Sequence, residues 1–506
     1  MRKIRTIFLI SIFFAMFLSS SIDIVPAKPQ ARPTIKIGGL GPLSITPGKD
    51  MRKGIELAVD EINDGDGVVV GGTAYDFEVF IEDNSGTTGL PDTDKALTAL
   101  SKLTVDDEVV AIVGGFRTEV MWGIQANLGT TGTPFLGVGS TAQLISPYYW
   151  RVGPSNGSLL AFGLIDLYGF GLLNTGVEKI TIIREDVAWT PPLSKLVQFY
   201  LGYYLAAMNV TSKAIVFTDD ITVSQEAGLD AVAAAMANVG DDVDALMPIF
   251  SAPVGKYVTQ AWFNDNMSQM LAGINVEAQS STYFEETEGA AYGEITMHPN
   301  PPDLTPTAKT AAYKTGYDAK WDEDPTYTAT FSYDAVFILK EAIERADSFD
   351  KADIQTALAD TDMVGAAWQY KFTSELGPQL ILADFLPNGT KVVVPVPGTE
   401  STPYGSITVH DLYTASTVGF RNKPFPTTYF TQWQQNGTVK TVWGATAAIT
   451  DDAVAFATGQ SALEWPIDHA EHGFSPKQAP GFELPLIILV LSGFAAIVRT
   501  RKRKKF

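Results

Sequence analysis

Cysteine is absent from all 506 residues, which excludes disulfide frameworks, thiolate metal sites and cysteine nucleophiles together. Histidine is scarce, at 4 in the chain. His469 and His472 are near enough in sequence to form a ligand pair, but they fall in a Pro-containing linker, where a solvated role is the commoner one. Positive charge is also in short supply. Lys and Arg number 36 against 57 Asp and Glu, a formal charge of −21, and nothing basic and extended lies outside the two termini. That balance argues against a nucleic-acid partner and fits an acidic, extracellular exterior. No dinucleotide fingerprint is complete: Gly39 and Gly41 begin a G-x-G-x-x-G run that ends on Ser44. No cofactor is therefore expected.

Long apolar runs are confined to the ends. Met1–Arg5 is basic, Ile7–Leu18 is apolar, and Val25-Pro26-Ala27 offers small residues for cleavage, so residues 1–27 read as a secretory signal peptide. Five Asn-x-Ser/Thr sequons, at Asn156, Asn209, Asn266, Asn388 and Asn436, are compatible with export. At the other end, residues 451–481 read as a linker, residues 482–498 as an apolar transmembrane or sorting segment, and residues 499–506 as a basic tail that stays cytoplasmic.

Between these ends, apolar strand-like runs alternate with amphipathic stretches. Thr34–Gly39, Tyr75–Glu82 and Val109–Gly115 read as strands, Met51–Asn63 and Asp94–Leu103 as helices. This order demands right-handed crossovers and a parallel sheet. A second series of the same kind starts after Arg151-Val-Gly-Pro: strands at 179–184, 214–218, 244–250 and 270–276, helices at 158–172, 192–208, 223–238 and 255–267. Helices follow at 307–321, 331–346 and 351–359. Beyond Trp368 the chain turns rich in Thr, Val, Pro and aromatics, and Gln435-Asn-Gly-Thr marks a hairpin. The fold class is α/β, with two doubly wound parallel-sheet lobes.

The organising stretch is Val109–Thr141. Two strands there end in polar turns, one carrying Thr118 and the other Gly139, Ser140 and Thr141. Hydroxyls beside free helix-start N–H groups at the carboxyl ends of parallel strands suit a small anionic group such as a carboxylate. The same residues serve equally as ordinary helix caps. Arg117 and Glu119 are a charged pair in that turn, either facing a cleft or forming a paired surface feature.

The strings IKIGGLGPLS, GIELAVDEIN, AIVGGFRTEV, GTPFLGVGST, YYWRVGPSNG, GINVEAQSSTYFEETEGAAYGEI and YFTQWQQNGTVKTVWG occur in this order from Ile35 to Gly444. Together they resemble the type I periplasmic-binding-protein class, in the branch of Leu/Ile/Val-binding receptors of ABC importers. The resemblance implies two hinged lobes that close on a solute, residues 34–155 with 290–350 forming one and 156–289 with 351–450 the other. It implies an amino acid or amide as ligand, an ABC permease as partner, and no catalysis. Thr118, Gly139, Ser140 and Thr141 match the positions that hold the ligand's α-carboxylate. Trp189 matches an aromatic packed on its side chain, and Asn275 and Glu277 fall near the acidic residue for its α-ammonium. Glu119 is added as a site residue. Ser251 and Ala252 stand where similar proteins carry an aromatic. The end of the chain, Pro480-Gly-Phe with an apolar segment and basic tail, resembles an archaeal sorting signal that anchors a protein outside the cell.

Two readings from other classes compete. Gly153-Pro-Ser-Asn-Gly157 fits the G-x-S-x-G nucleophile elbow, with His298 and His410 downstream, so Ser155 is a candidate hydrolase nucleophile. Pro154 directly before the serine counts against it. A sensory or structural surface protein is the other, and the tail after Val498 is too short for a signalling domain.

Overall fold

The β-branched runs form strands buried on both faces, as parallel strands covered by helices must be. In the computed structural model, which describes residues 31–142, 144–154, 157–172, 176–207, 215–373, 400–402, 405–407, 411–412 and 429–444, these strands assemble into two large sheets, with two small ones of three and two strands formed by later segments. The expected signal peptide, the linker, the apolar segment and the basic tail lie outside the described residues. Among the described residues no helix is long and apolar enough to cross a membrane.

The first sheet is built from β1 (Thr34–Gly41), α1 (Thr46–Asp64), β2 (Val68–Val70), β3 (Thr73–Asp83), α2 (Thr93–Ser101), β4 (Ile112–Phe116), α3 (Thr118–Leu128), β5 (Phe135–Gly139) and β6 (Tyr149–Arg151). Its strand order is β2-β3-β1-β4-β5-β6, parallel apart from the β2–β3 hairpin. The chain then crosses at Val152–Pro154 into α4 (Gly157–Asp166), β7 (Lys179–Glu185), α5 (Thr190–Ala207), β8 (Val216–Val223), α6 (Leu229–Met236), β9 (Ala245–Phe250), α7 (Gly255–Asn264), β10 (Met270–Asn275), the short α8 (Tyr283–Glu286) and β11 (Ile295–Met297). Gly153 sits at this crossing because an added Cβ would meet the Phe331 ring at 2.1 Å.

After β11 the chain returns to the first sheet as α9 (Thr310–Trp321), α10 (Tyr327–Ala346) and α11 (Lys351–Leu358), followed by β12 (Asp362–Val364) and β13 (Gln369–Thr373). Short strands β14 (Glu400–Thr402), β15 (Gly405–Ile407) and β16 (Asp411–Leu412) precede β17 (Tyr429–Trp433) and β18 (Val439–Gly444). The last two cross back, giving a second sheet ordered β18-β17-β11-β10-β9-β7-β8. Asn436 and Gly437, the latter at φ +76°, turn the β17–β18 hairpin where Asn-Gly demanded it.

Two lobe boundaries differ from the expectation. Residue 290 does not begin the return, because β11 pairs with β10 on one side and β17 on the other; the crossing falls after Met297. Nor does residue 351 begin the second lobe. Lys351 Nζ donates to Thr133 Oγ1 at 2.8 Å, and Trp150 Nε1 of β6 donates to Gln355 Oε1 at 2.8 Å. Buried Asp334 on α10 accepts from the Ala366 and Ala367 amides and from the Tyr370 hydroxyl. These bonds fix 351–370 to the first lobe. Helical periodicity locates such segments without saying which sheet they cover.

Candidate functional site

Two glycines shape the turns after β4 and β5. Gly115 has φ +86°, and a Cβ there would lie 2.3 Å from Met121 Sδ. Gly139 pairs with Phe116, and its missing Cβ would come 2.4 Å from the Gly115 carbonyl oxygen. The strand ends therefore approach closely, and the Arg117 amide donates to the Gly139 carbonyl at 3.3 Å. Arg117 itself has φ +70° and ψ 148°, a sparsely populated conformation of the kind that clusters at ligand clamps. Thr118 opens α3, whose first amides have no intrahelical acceptor. Across from it, Ser140 Oγ accepts from the Ala142 amide at 3.0 Å. The turn is stapled by buried Arg151, whose two Nη atoms donate to the Ser140 and Ala142 carbonyls at 2.7 and 2.5 Å.

The opposite wall comes from strand ends of the second sheet: Trp189 after β7, Ser251 after β9, Ile274 and Val276 at β10, and Met297 at the end of β11. With Arg117, Thr118, Gly139, Ser140, Thr141 and Tyr327 they line a cleft with an empty volume of about 510 Å³ including its open mouth. Every contributing strand offers its carboxyl end, where open α/β sheets place their ligands. Glu185 braces the far wall from within. It is fully buried and accepts from the Ser251 and Ala252 amides at 2.7 and 2.9 Å, from the Ser251 hydroxyl and from Trp189 Nε1 at 3.1 Å.

Thr118, Gly139, Ser140, Thr141 and Trp189 are thus brought together in one cleft. Glu119, Asn275 and Glu277 are not among its lining. Asn275 is buried, and its Nδ2 donates to Tyr283 Oη at 2.9 Å and Glu294 Oε1 at 2.8 Å. That network belongs to the packing of α8 and β11 on the sheet. Glu277 accepts from Thr46 Oγ1 at 3.2 Å, a bridge from one lobe to the other, and burial pushes its carboxyl up to about 7. Glu119 lies 3.8 Å from Arg117 Nη1 and is likewise raised by burial. The residue that sequence reasoning left open, Arg117, does line the cleft. It is 3 % exposed, pairs through Nη1 with Gln225 of the second lobe, and lies 3.7 Å from Glu185 through Nη2. Ser251, at the position where similar proteins carry an aromatic, and Tyr327 also line it; only long-range folding brings Tyr327 there.

This two-lobed geometry accords with the outcome of comparison with known proteins. A model described as periplasmic binding protein matches residues 34–378. The chain belongs to that family. No curated protein matches the sequence. Among solved structures, this periplasmic binding protein is similar to the branched-chain amino acid transporter substrate-binding protein of Streptococcus pneumoniae, determined with isoleucine, at 18% identity and TM-score 0.59 over 80% of this chain and 98% of that one. It is also similar to a leucine-binding protein of Thermotoga maritima (16%, TM-score 0.57, 83% and 99%). A solute-binding protein of Rhodopseudomonas palustris, solved with benzoate, gives 16%, 0.58, 83% and 98%. At these identities the likeness establishes the type I periplasmic-binding-protein fold.

The family consists of solute-binding proteins rather than enzymes. Of the residues behind the hydrolase reading, Ser155 and His410 lie outside the described residues, as do His469 and His472. His298 is buried beside the returning crossing, accepts from the Asn300 amide at 3.3 Å, and is pushed down to about 3 by burial. So deeply buried, it stays neutral at neutral pH, and it is not among the residues lining the cleft. Among the described residues no group of three or more potential ligands could hold a metal.

Proposed function

We propose that this periplasmic binding protein is an extracellular receptor that captures a small carboxylate-bearing solute with an apolar body and presents it to an ABC permease. Branched-chain and other amino acids belong to that class, and the sequence points to them. The observation that carries the reading is the cleft itself: hydroxyls of Thr118, Ser140 and Thr141 and the Arg117 guanidinium on one wall, with Trp189, Ile274, Val276 and Met297 on the other. Polar groups that fix one end of a ligand and an apolar wall that accepts the rest are what a small-molecule site requires. A solute touching both walls favours the closed arrangement over the open one by its differential contacts. The C-terminal apolar segment, by this reading, tethers the receptor at the outer face of the membrane.

Calorimetric titration with a panel of aliphatic and aromatic acids and amino acids tests the proposal. At least one member binds the intact chain, and Thr118→Ala with Thr141→Ala together weaken it by about tenfold or more, as loss of two charge-assisted hydrogen bonds implies. Unchanged affinity in the double variant would mean that the carboxylate sits elsewhere.

A further inference from the structure

The charges around the cleft are unevenly distributed. Among its lining residues Arg117 is the one charged side chain. Its Nη1 is occupied by Gln225, whereas Nε and Nη2 have no hydrogen-bond partner among the described residues although both are buried. The nearest carboxylate, Glu185, stands 3.7 Å from Nη2, beyond hydrogen-bond length, and is already engaged by four donors from Ser251, Ala252 and Trp189. Nε and Nη2 form one edge of the guanidinium, with two parallel N–H bonds spaced to receive both oxygens of a carboxylate. A buried cation with that edge unmet carries a large desolvation penalty, and an anion relieves it.

We infer that the cleft takes an apolar carboxylic acid lacking an α-ammonium group, its carboxylate received on the Nε–Nη2 edge of Arg117. The inference rests on the small-carboxylate reading given above and narrows it. An α-ammonium needs acceptors close to the carboxylate, and the cleft wall supplies none with negative charge. Asn275 is committed to Tyr283 and Glu294. Glu277 is bonded to Thr46 and lies outside the lining, as does Glu119. Beside Arg117 an ammonium meets a like charge and must compete with it for Glu185 and Glu119, the two carboxylates within 4 Å of the guanidinium, neither of which lines the cleft. The remaining walls, Phe116, Ile274, Val276 and Met297, offer an aliphatic or aromatic acid apolar contact and nothing ionic. The left-handed backbone at Arg117 is part of the same device, a strained residue held where its side chain enters the cleft wall.

The test uses ligand pairs that differ only in the ammonium group, titrated into the full chain at neutral pH: 4-methylpentanoate against L-leucine, and 3-phenylpropanoate against L-phenylalanine. The acid is expected to bind about tenfold or more tightly than its amino counterpart in at least one pair, since an unpaired buried charge costs that much or more. Arg117→Gln should abolish the preference and weaken the acid by about tenfold or more, and Arg117→Lys, which keeps the charge without the fork, should recover it only in part. Should either variant fail to fold, the pairs on the unaltered chain still decide. Amino acids bound as tightly as the acids, or tighter, overturn the inference and leave the small-carboxylate receptor standing. Acids preferred equally with and without Arg117 overturn its role. Neither pair binding at all overturns the receptor reading and this one with it.

Discussion

Asn275 and Thr141 make opposite predictions although both were singled out from sequence as ligand contacts. Asn275 ties the buried Glu294 carboxyl to the sheet, so Asn275→Ala removes a partner from a buried group. A loss of about 1–3 kcal/mol in urea denaturation is expected, with solute affinity unchanged in calorimetry. Thr141 lines the cleft. Thr141→Ala is expected to cost stability less than about 0.5 kcal/mol and to lower affinity several-fold, about 1 kcal/mol of binding. If Asn275→Ala weakened solute binding instead, its placement behind the cleft would be wrong. What made these two look alike is that each follows a strand end, and a single sequence does not say which way a side chain turns there. Arg117 was legible as unusual, a charge set between Phe116 and Thr118 after two glycines, but its burial depends on Gln225 and Glu185, 108 and 68 residues away.

At the scale of elements, the strongest sequence signals located β4, α3 and β5 because buried parallel strands read as unbroken apolar runs and glycines end them. Three-residue strands such as β2, β6 and β11 are too short to show a repeated alternation, and β11 went unread. The stretch near residue 223 was expected to open a helix, yet β8 runs from Val216 to Val223 through Asp219 and Asp220 and α6 starts only at Leu229. Acidic side chains on an edge strand are what discourage pairing with another chain, and here they end the apolar run, so that the strand expected at 214–218 continues past them unread. Gly54 on α1 faces α10 so closely that a Cβ would sit 2.1 Å from the Ala329 carbonyl oxygen. Gly54→Ala must push the two helices apart, and denaturant unfolding should register a loss of about 1–3 kcal/mol; a stability equal to the parent's would show that the helices slide apart freely.

The whole molecule carries its buried acids in a pattern that sets its response to pH. Burial raises Asp50 and Asp334 to about 6 and Glu277 and Glu294 to about 7, against roughly 4 for such groups in an unfolded chain. The folded state therefore binds more protons over that interval, and stability contributed by these groups is present below pH ~4 and lost as pH rises through 6 to 7. His298, lowered to about 3 from an unfolded value near 6.5, works the other way: its contribution is present above pH ~6.5 and lost as pH falls toward 3. Four carboxyls outweigh one imidazole between pH 5 and 7, so scanning calorimetry should give a higher Tm at pH 5.5 than at pH 7.5. Glu294→Gln should flatten that slope, and a Tm that climbs steadily with pH would contradict the assignment.

The route of the chain has a further outcome. Helix α10, drawn from residues 327–346, covers α1 from residues 46–64, and the Asp334 clasp closes only when residues 366–370 arrive. A nascent polypeptide halted before that point leaves the ribosome with the apolar face of α1 naked, and the second sheet waits longer still, for β17 and β18 at residues 429–444. Synthesis from one end thus yields no early foldable fragment, and maturation of both lobes comes late, the first after residue 370 and the second after residue 444.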